Sequence, residues 1–112
     1  MPPQVELLWW EGCPSWQQAL EMLRDEAAGV GLAADAIDVI EITSEADAAG
    51  RGFPGSPTIR VDGEDIQPPG PDEPGGLTCR VYRRRDGSVS PLPDREDLRE
   101  ALQRAVREEA VG

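Results

Sequence analysis

The pattern of apolar and polar positions divides the chain into a few short elements. Val5 to Trp10 is a nearly continuous apolar run broken only by Glu6, the pattern of a short strand covered on both faces, in a central parallel position. From Pro14 onward, Trp16, Ala19, Leu20, Leu23, Ala27 and Val30 recur at helical spacing, with Gln17, Gln18, Glu21, Arg24 and Asp25 off that stripe. This predicts an amphipathic helix docked on the sheet and ended by Gly29 and Gly31. Ile37 to Ile42 is rich in β-branched residues and predicts a strand at a sheet edge, parallel to the first by the right-handed crossover rule. Ser44 with Asp47 resembles a capping box for a short helix over Glu45 to Ala49, stopped by Gly50.

Phe53-Pro54-Gly55-Ser56-Pro57 is a rigid approach to a second alternating strand, Thr58 to Val61, closed by Asp62-Gly63. Gln67 to Gly76 holds four prolines and three glycines in ten residues, which predicts an exposed loop. Leu77 to Tyr82 alternates, with Leu77, Cys79 and Val81 on one face and Thr78, Arg80 and Tyr82 on the other. The expected strand is antiparallel to Thr58 to Val61. After a turn at Asp86-Gly87, Asp94 caps a last helix whose Leu98, Ala101, Leu102, Ala105, Val106 and Glu109 mark one side, and the tail past Val111 is expected to fray.

At 112 residues the chain is expected to be a single domain, 1–112, with one core. The net charge of −11 is uneven: residues 1–50 carry ten acids against Arg24 alone. Such a surface repels phosphate backbones, so no nucleic-acid partner is expected. No stretch approaches the roughly 20 apolar residues that span a bilayer, and no basic-then-apolar leader opens the sequence. The expectation is a cytoplasmic protein with no membrane partner, whose thiols are mostly reduced.

Absences narrow the chemistry further. The chain has no His and no Lys, which removes Cys-His and Ser-His dyads, histidine metal sites and Schiff-base lysines. Its two cysteines do not complete a four-ligand zinc set, so neither a metal nor a cofactor is expected. A strand feeding a Gly turn into a helix puts Cys13 at the helix N-cap with Pro14 as first helical residue, and the unpaired N–H groups there favour a thiolate. Cys79 shares parity with Leu77 and Val81, so it reads equally as a core cysteine and as a resolving or metal-ligating thiol. A disulfide between the two needs Cα atoms within about 7 Å, and the strand register that decides this is open. Arg83-Arg84-Arg85 with Arg80 is the one basic cluster, a solvated hairpin tip or an anion site.

The order β-α-β-α-β-β-α, with Gly12-Cys13-Pro14 at the first strand-to-helix turn and Ser56-Pro57-Thr58 opening the third strand, resembles the thioredoxin fold over nearly the whole chain. The resemblance implies an α/β architecture with a single mixed four-stranded sheet and flanking helices. It also implies a cis Pro57 facing Cys13, where the backbone at Ser56 would dock a substrate. Trp16 stands where dithiol members carry the resolving cysteine, so the implied activity is monothiol exchange: Cys13 attacks, and glutathione, another thiol or Cys79 completes the reaction. Gly12, Pro14, Trp10, Trp16, Ser56 and Pro57 would line the substrate site, and the partner would be a thiol or disulfide, protein-borne or small. Gly-Cys-Pro-Ser-Trp, Gly-Ser-Pro-Thr-Ile and Gly-Leu-Thr-Cys-Arg-Val-Tyr-Arg also resemble small bacterial thioredoxin-like proteins often labelled alkylmercury-lyase-like. That likeness implies a second use of Cys13 and Cys79, in organomercurial lyase-like chemistry or as two soft metal ligands. A third use of the same groove is non-catalytic protein contact.

Overall fold

Strand periodicity and helix periodicity meet in a mixed α/β fold. A computed structural model describes residues 3–70 and 75–111. Its elements run β1 (Val5–Trp9), α1 (Trp16–Gly29), a single 3-10 turn (Ala34–Ala36), β2 (Ile37–Glu41), α2 (Glu45–Arg51), β3 (Thr58–Val61), β4 (Glu64–Asp65), β5 (Tyr82–Arg83), β6 (Val89–Ser90) and α3 (Arg95–Val111). The main sheet has the order β2-β1-β3-β4, with β1 parallel to β2 and antiparallel to β3. The first apolar run is thus central and the Ile37 strand lies at an edge, as expected.

Parity along β1 builds two cores. Val5 and Leu7 face α1 and α3 and are fully buried among Ala19, Leu23, Ile59, Leu98 and Leu102. Leu8 faces the other way, into a smaller cluster with Ile42, Ala48 and Phe53 beneath α2. Trp9 continues the first face and stacks on Trp16, ring centroids 4.0 Å apart, which ties the end of β1 to the start of α1. Between α1 and α3, buried Glu26 accepts hydrogen bonds from Arg95 (3.0 Å) and Arg99 (2.7 Å). Its charge is compensated there without burying the arginines.

The helix ends follow their capping residues. The Ser44 hydroxyl accepts from Asp47 N–H, and α2 runs through Gly50 to a left-handed Gly52, two residues past the expected stop. Gly50 carries no positive φ, whereas Gly52 (φ 61°) closes the turn, and Arg60 donates to the carbonyls of Arg51 and Gly52. Asp94 caps α3 as expected, accepting from Glu96 N–H. The side chain of Glu109, the residue past Val111, and positions 71–74 of the expected Gln67 to Gly76 loop lie outside the described residues.

One sheet assignment is overturned. Leu77 to Tyr82 does not pair with β3, because the Asp62-Gly63 turn folds Glu64-Asp65 back as β4 and fills that edge. Tyr82–Arg83 pairs instead with Val89–Ser90 as a separate two-stranded ribbon, and Cys79 makes a single parallel bridge to Ser56. The expected alternation fails at its start, where Leu77 is half-buried and Thr78 exposed, and from Cys79 on its inner face is the other one. Arg80 and Tyr82 are buried, while Cys79 and Val81 are exposed, so Cys79 is not a core cysteine.

No helix among the described residues is long and apolar enough to cross a membrane.

Candidate functional site

β1 ends in a tight turn in which Cys13 N–H donates to the carbonyl of Trp10 (3.0 Å), with Glu11 and Gly12 at the exposed tip. The Trp10 indole lies directly against Gly12, so any Cβ there would run into the ring. Cys13 itself is fully buried. It is not the N-cap: Pro14 and Ser15 form a further turn, Ser15 takes the N-cap position, and α1 begins at Trp16. The direct partner of the sulfur is therefore a carbonyl rather than the helix N–H groups, with Cys13 Sγ 3.3 Å from the oxygen of Ser56.

Ser56 is where the site converges. Its hydroxyl accepts from Trp10 N–H (3.0 Å), fixing the end of β1. Its N–H donates to Thr78 O (2.8 Å), and its carbonyl accepts from Arg80 N–H (2.9 Å) as well as from the Cys13 thiol. The residue is fully buried, and the Ser56–Pro57 peptide bond is cis. Both backbone groups expected to receive a substrate are thus occupied by the chain's own 78–80 segment. That segment brings Cys79 to the same place.

Cys79 and Cys13 are both free thiols, one exposed and one buried. Partial desolvation comes first, then a hydrogen bond with Cys13 and its charge, in pushing the Cys79 thiol above its ordinary range.

A polar web holds the segment in place. Arg80 donates to Asp65 (2.7 Å), to the carbonyl of Gln67 (2.7 Å) and to the Thr58 hydroxyl (3.4 Å), and lies 4.3 Å from the Tyr82 ring centroid. The Tyr82 hydroxyl donates to the carbonyl of Pro57 (2.6 Å), and burial raises its ionisation well above the usual phenol range. Gln67 bonds Arg83 through both ends of its amide. At Gly55 (φ 138°) a Cβ would come within 3.0–3.3 Å of Arg80 and Thr78, so the segment approaches there only because no side chain intervenes.

The sequence-derived site residues therefore separate. Cys13, Cys79, Ser56, Pro57 and the Trp10 backbone come together, with Gly12 beneath the Trp10 ring. Pro14 is an exposed turn residue, and Trp16 is stacked into the main core. The structural roles of Arg80 and Tyr82 are not legible in the sequence because an alternating hexapeptide does not say which face turns inward, and those of Gly55 and Gln67 because their partners, Thr78, Arg80 and Arg83, lie 13 or more residues further along the chain. The basic cluster is also resolved in part, since Arg85 is held by Glu96, Asp97 and Glu100 at 2.7–2.9 Å.

No protein-family model, curated protein or solved structure matches the chain.

Proposed function

We propose that this chain is a thioredoxin-like thiol–disulfide redox protein in which Cys13 works with Cys79 as its second thiol. The observation that carries this is the double role of Ser56: its carbonyl holds the Cys13 thiol while its backbone pairs with the residues on either side of Cys79. The sheet order, with a parallel β1–β2 pair and an antiparallel β3, supports the same reading, as does Pro57 beside the sulfur. Trp16 leaves the usual resolving position empty of sulfur, and Cys79 supplies one from 66 residues further along the chain. Thiol–disulfide exchange proceeds by thiolate attack on a disulfide sulfur, so a second thiol within reach lets the mixed disulfide resolve within one chain.

The test is an exchange assay in which the protein couples a small dithiol to reduction of glutathione disulfide. The parent protein is expected to accelerate exchange, and Cys13→Ser and Cys79→Ser are each expected to fall to the uncatalysed rate. Full activity in Cys79→Ser would leave Cys13 as a true monothiol site.

The same two thiols favour a second reading, capture of a soft metal ion by two thiolates. No group of three or more possible metal ligands is gathered among the described residues, so such a site would be two-coordinate. Stoichiometric binding of mercuric ion, lost in either cysteine variant, is the expected result on that reading; no binding by the parent would eliminate it.

A further inference from the structure

We infer that the sulfur that meets external partners is Cys79, and that Cys13 is the buried resolving thiol, the reverse of the order that chain position suggests. This rests on the pairing of the two cysteines proposed above and adds to it the direction in which they act. Three observations carry it.

The first is access. Cys13 is fully buried and Cys79 is exposed, so a reagent in solvent meets Cys79 first. The second is occupancy. A partner's extended backbone would reach Cys13 by pairing with Ser56, but Ser56 N–H is already bonded to Thr78 and its carbonyl to Arg80 and Cys13. The chain's own segment holds the place where a partner strand would lie. The third is the fit at Gly55, where a Cβ would crowd Arg80 and Thr78, so the absence of a side chain lets that segment lie close against Ser56. Reaching Cys13 requires lifting the segment off Ser56, whereas reaching Cys79 requires no movement of the backbone.

The chemistry balances with a low-molecular-weight disulfide as oxidant. The Cys79 thiolate attacks RSSR, the partner's S–S bond breaks, a Cys79–S–S–R bond forms, and RS⁻ leaves. The Cys13 thiolate then attacks Cys79 Sγ, forming the Cys13–Cys79 disulfide and expelling a second RS⁻. Two cysteine thiols lose two electrons and two protons, and the partner disulfide gains both electrons. In reverse, an incoming thiolate attacks Cys79 Sγ and Cys13 departs. The elevated titration of Cys79 makes its attack slow at neutral pH and faster as pH rises.

The experiment uses the unaltered reduced protein, treated with a limiting amount of iodoacetamide at about pH 9, near the ordinary thiol range, then quenched, digested and mapped. Cys79 is expected to carry at least about tenfold more label than Cys13, as befits an exposed thiol against one that reacts only on local opening. Equal labelling, or label first on Cys13, would overturn the inference. With glutathione disulfide as probe, Cys13→Ser is expected to accumulate a stable adduct on Cys79, and Cys79→Ser to form its adduct about tenfold more slowly or not at all. A fast adduct on Cys13 in Cys79→Ser would again overturn it. If the parent forms no Cys13–Cys79 disulfide under the same oxidation, the pairing itself fails, an outcome distinct from a disulfide that forms with Cys13 reacting first.

Discussion

The packing around β1, α1 and α3 and the packing of residues 75–90 differ in kind. In the first region Val5, Leu7, Ala19, Leu23, Ile59, Leu98 and Leu102 exclude water by shape and area, and the one buried charge, Glu26, is answered by two half-exposed arginines. In the second, Val81 and Val89 face solvent, and position is set by directional bonds from Arg80, Tyr82 and Gln67. Apolar packing yields only when the whole core opens, whereas a web of a few polar bonds can open locally. Cys13 is buried between the end of β1 and Ser56, and Cys79 is exposed on the second region. The segment of residues 78–80 that covers Cys13 is held by polar bonds and can open locally without the apolar core yielding.

The largest effect is expected from breaking the polar web. Arg80→Leu leaves Asp65 largely buried without its cation, and removing one member of such a pair costs about 3–5 kcal/mol. Hydrogen exchange should show the loss concentrated in residues 75–85, with faster alkylation of Cys13, which the seated segment covers. Uniform loss across β1 and α1 would contradict the separation of the two regions. Leu23→Ala is the counterpart in the apolar core and should cost about 2–5 kcal/mol in denaturant unfolding. Below its unfolding transition, the order of cysteine labelling should stay as in the parent.

A smaller effect belongs to Glu26. The hydrogen bond from Arg99 comes first, and then, against burial, the bond from Arg95 and both charges, in holding its carboxyl below the ordinary range. A depressed folded value means that ionised Glu26 stabilises the fold. That contribution is complete above the ordinary carboxyl value of about 4.3 and is lost as pH falls from there through the folded value. Glu26→Gln should cost about 1–2 kcal/mol at neutral pH, since both arginines are half exposed, and should flatten the acid limb of the stability curve. An unchanged acid limb would show that the triad contributes nothing to folding.

How much was legible in the sequence follows the same division. β1, α1, β2, β3 and α3 were readable because their apolar residues repeat with the period of the element they form. Leu77 to Tyr82 was misread because alternation assigns residues to two faces without saying which is buried. A guanidinium satisfied by Asp65, Gln67 and Thr58 can lie inside when those partners are far away in sequence. The Asp62-Gly63 turn was visible, but two residues after it carried no signal that they would occupy the edge of β3. The proximity of Cys13 and Cys79 was out of reach for a related reason, since it depends on one bridge at Ser56 and not on any local pattern.

The central claim is that Cys13 and Cys79 form one redox pair within a single chain, and intact mass with non-reducing peptide mapping after mild oxidation tests it most directly. The expected result is a monomer lighter by two hydrogens, in which the peptide containing Cys13 is cross-linked to the peptide containing Cys79. A protein that keeps both thiols, or that forms only dimers joined through Cys79, would contradict it.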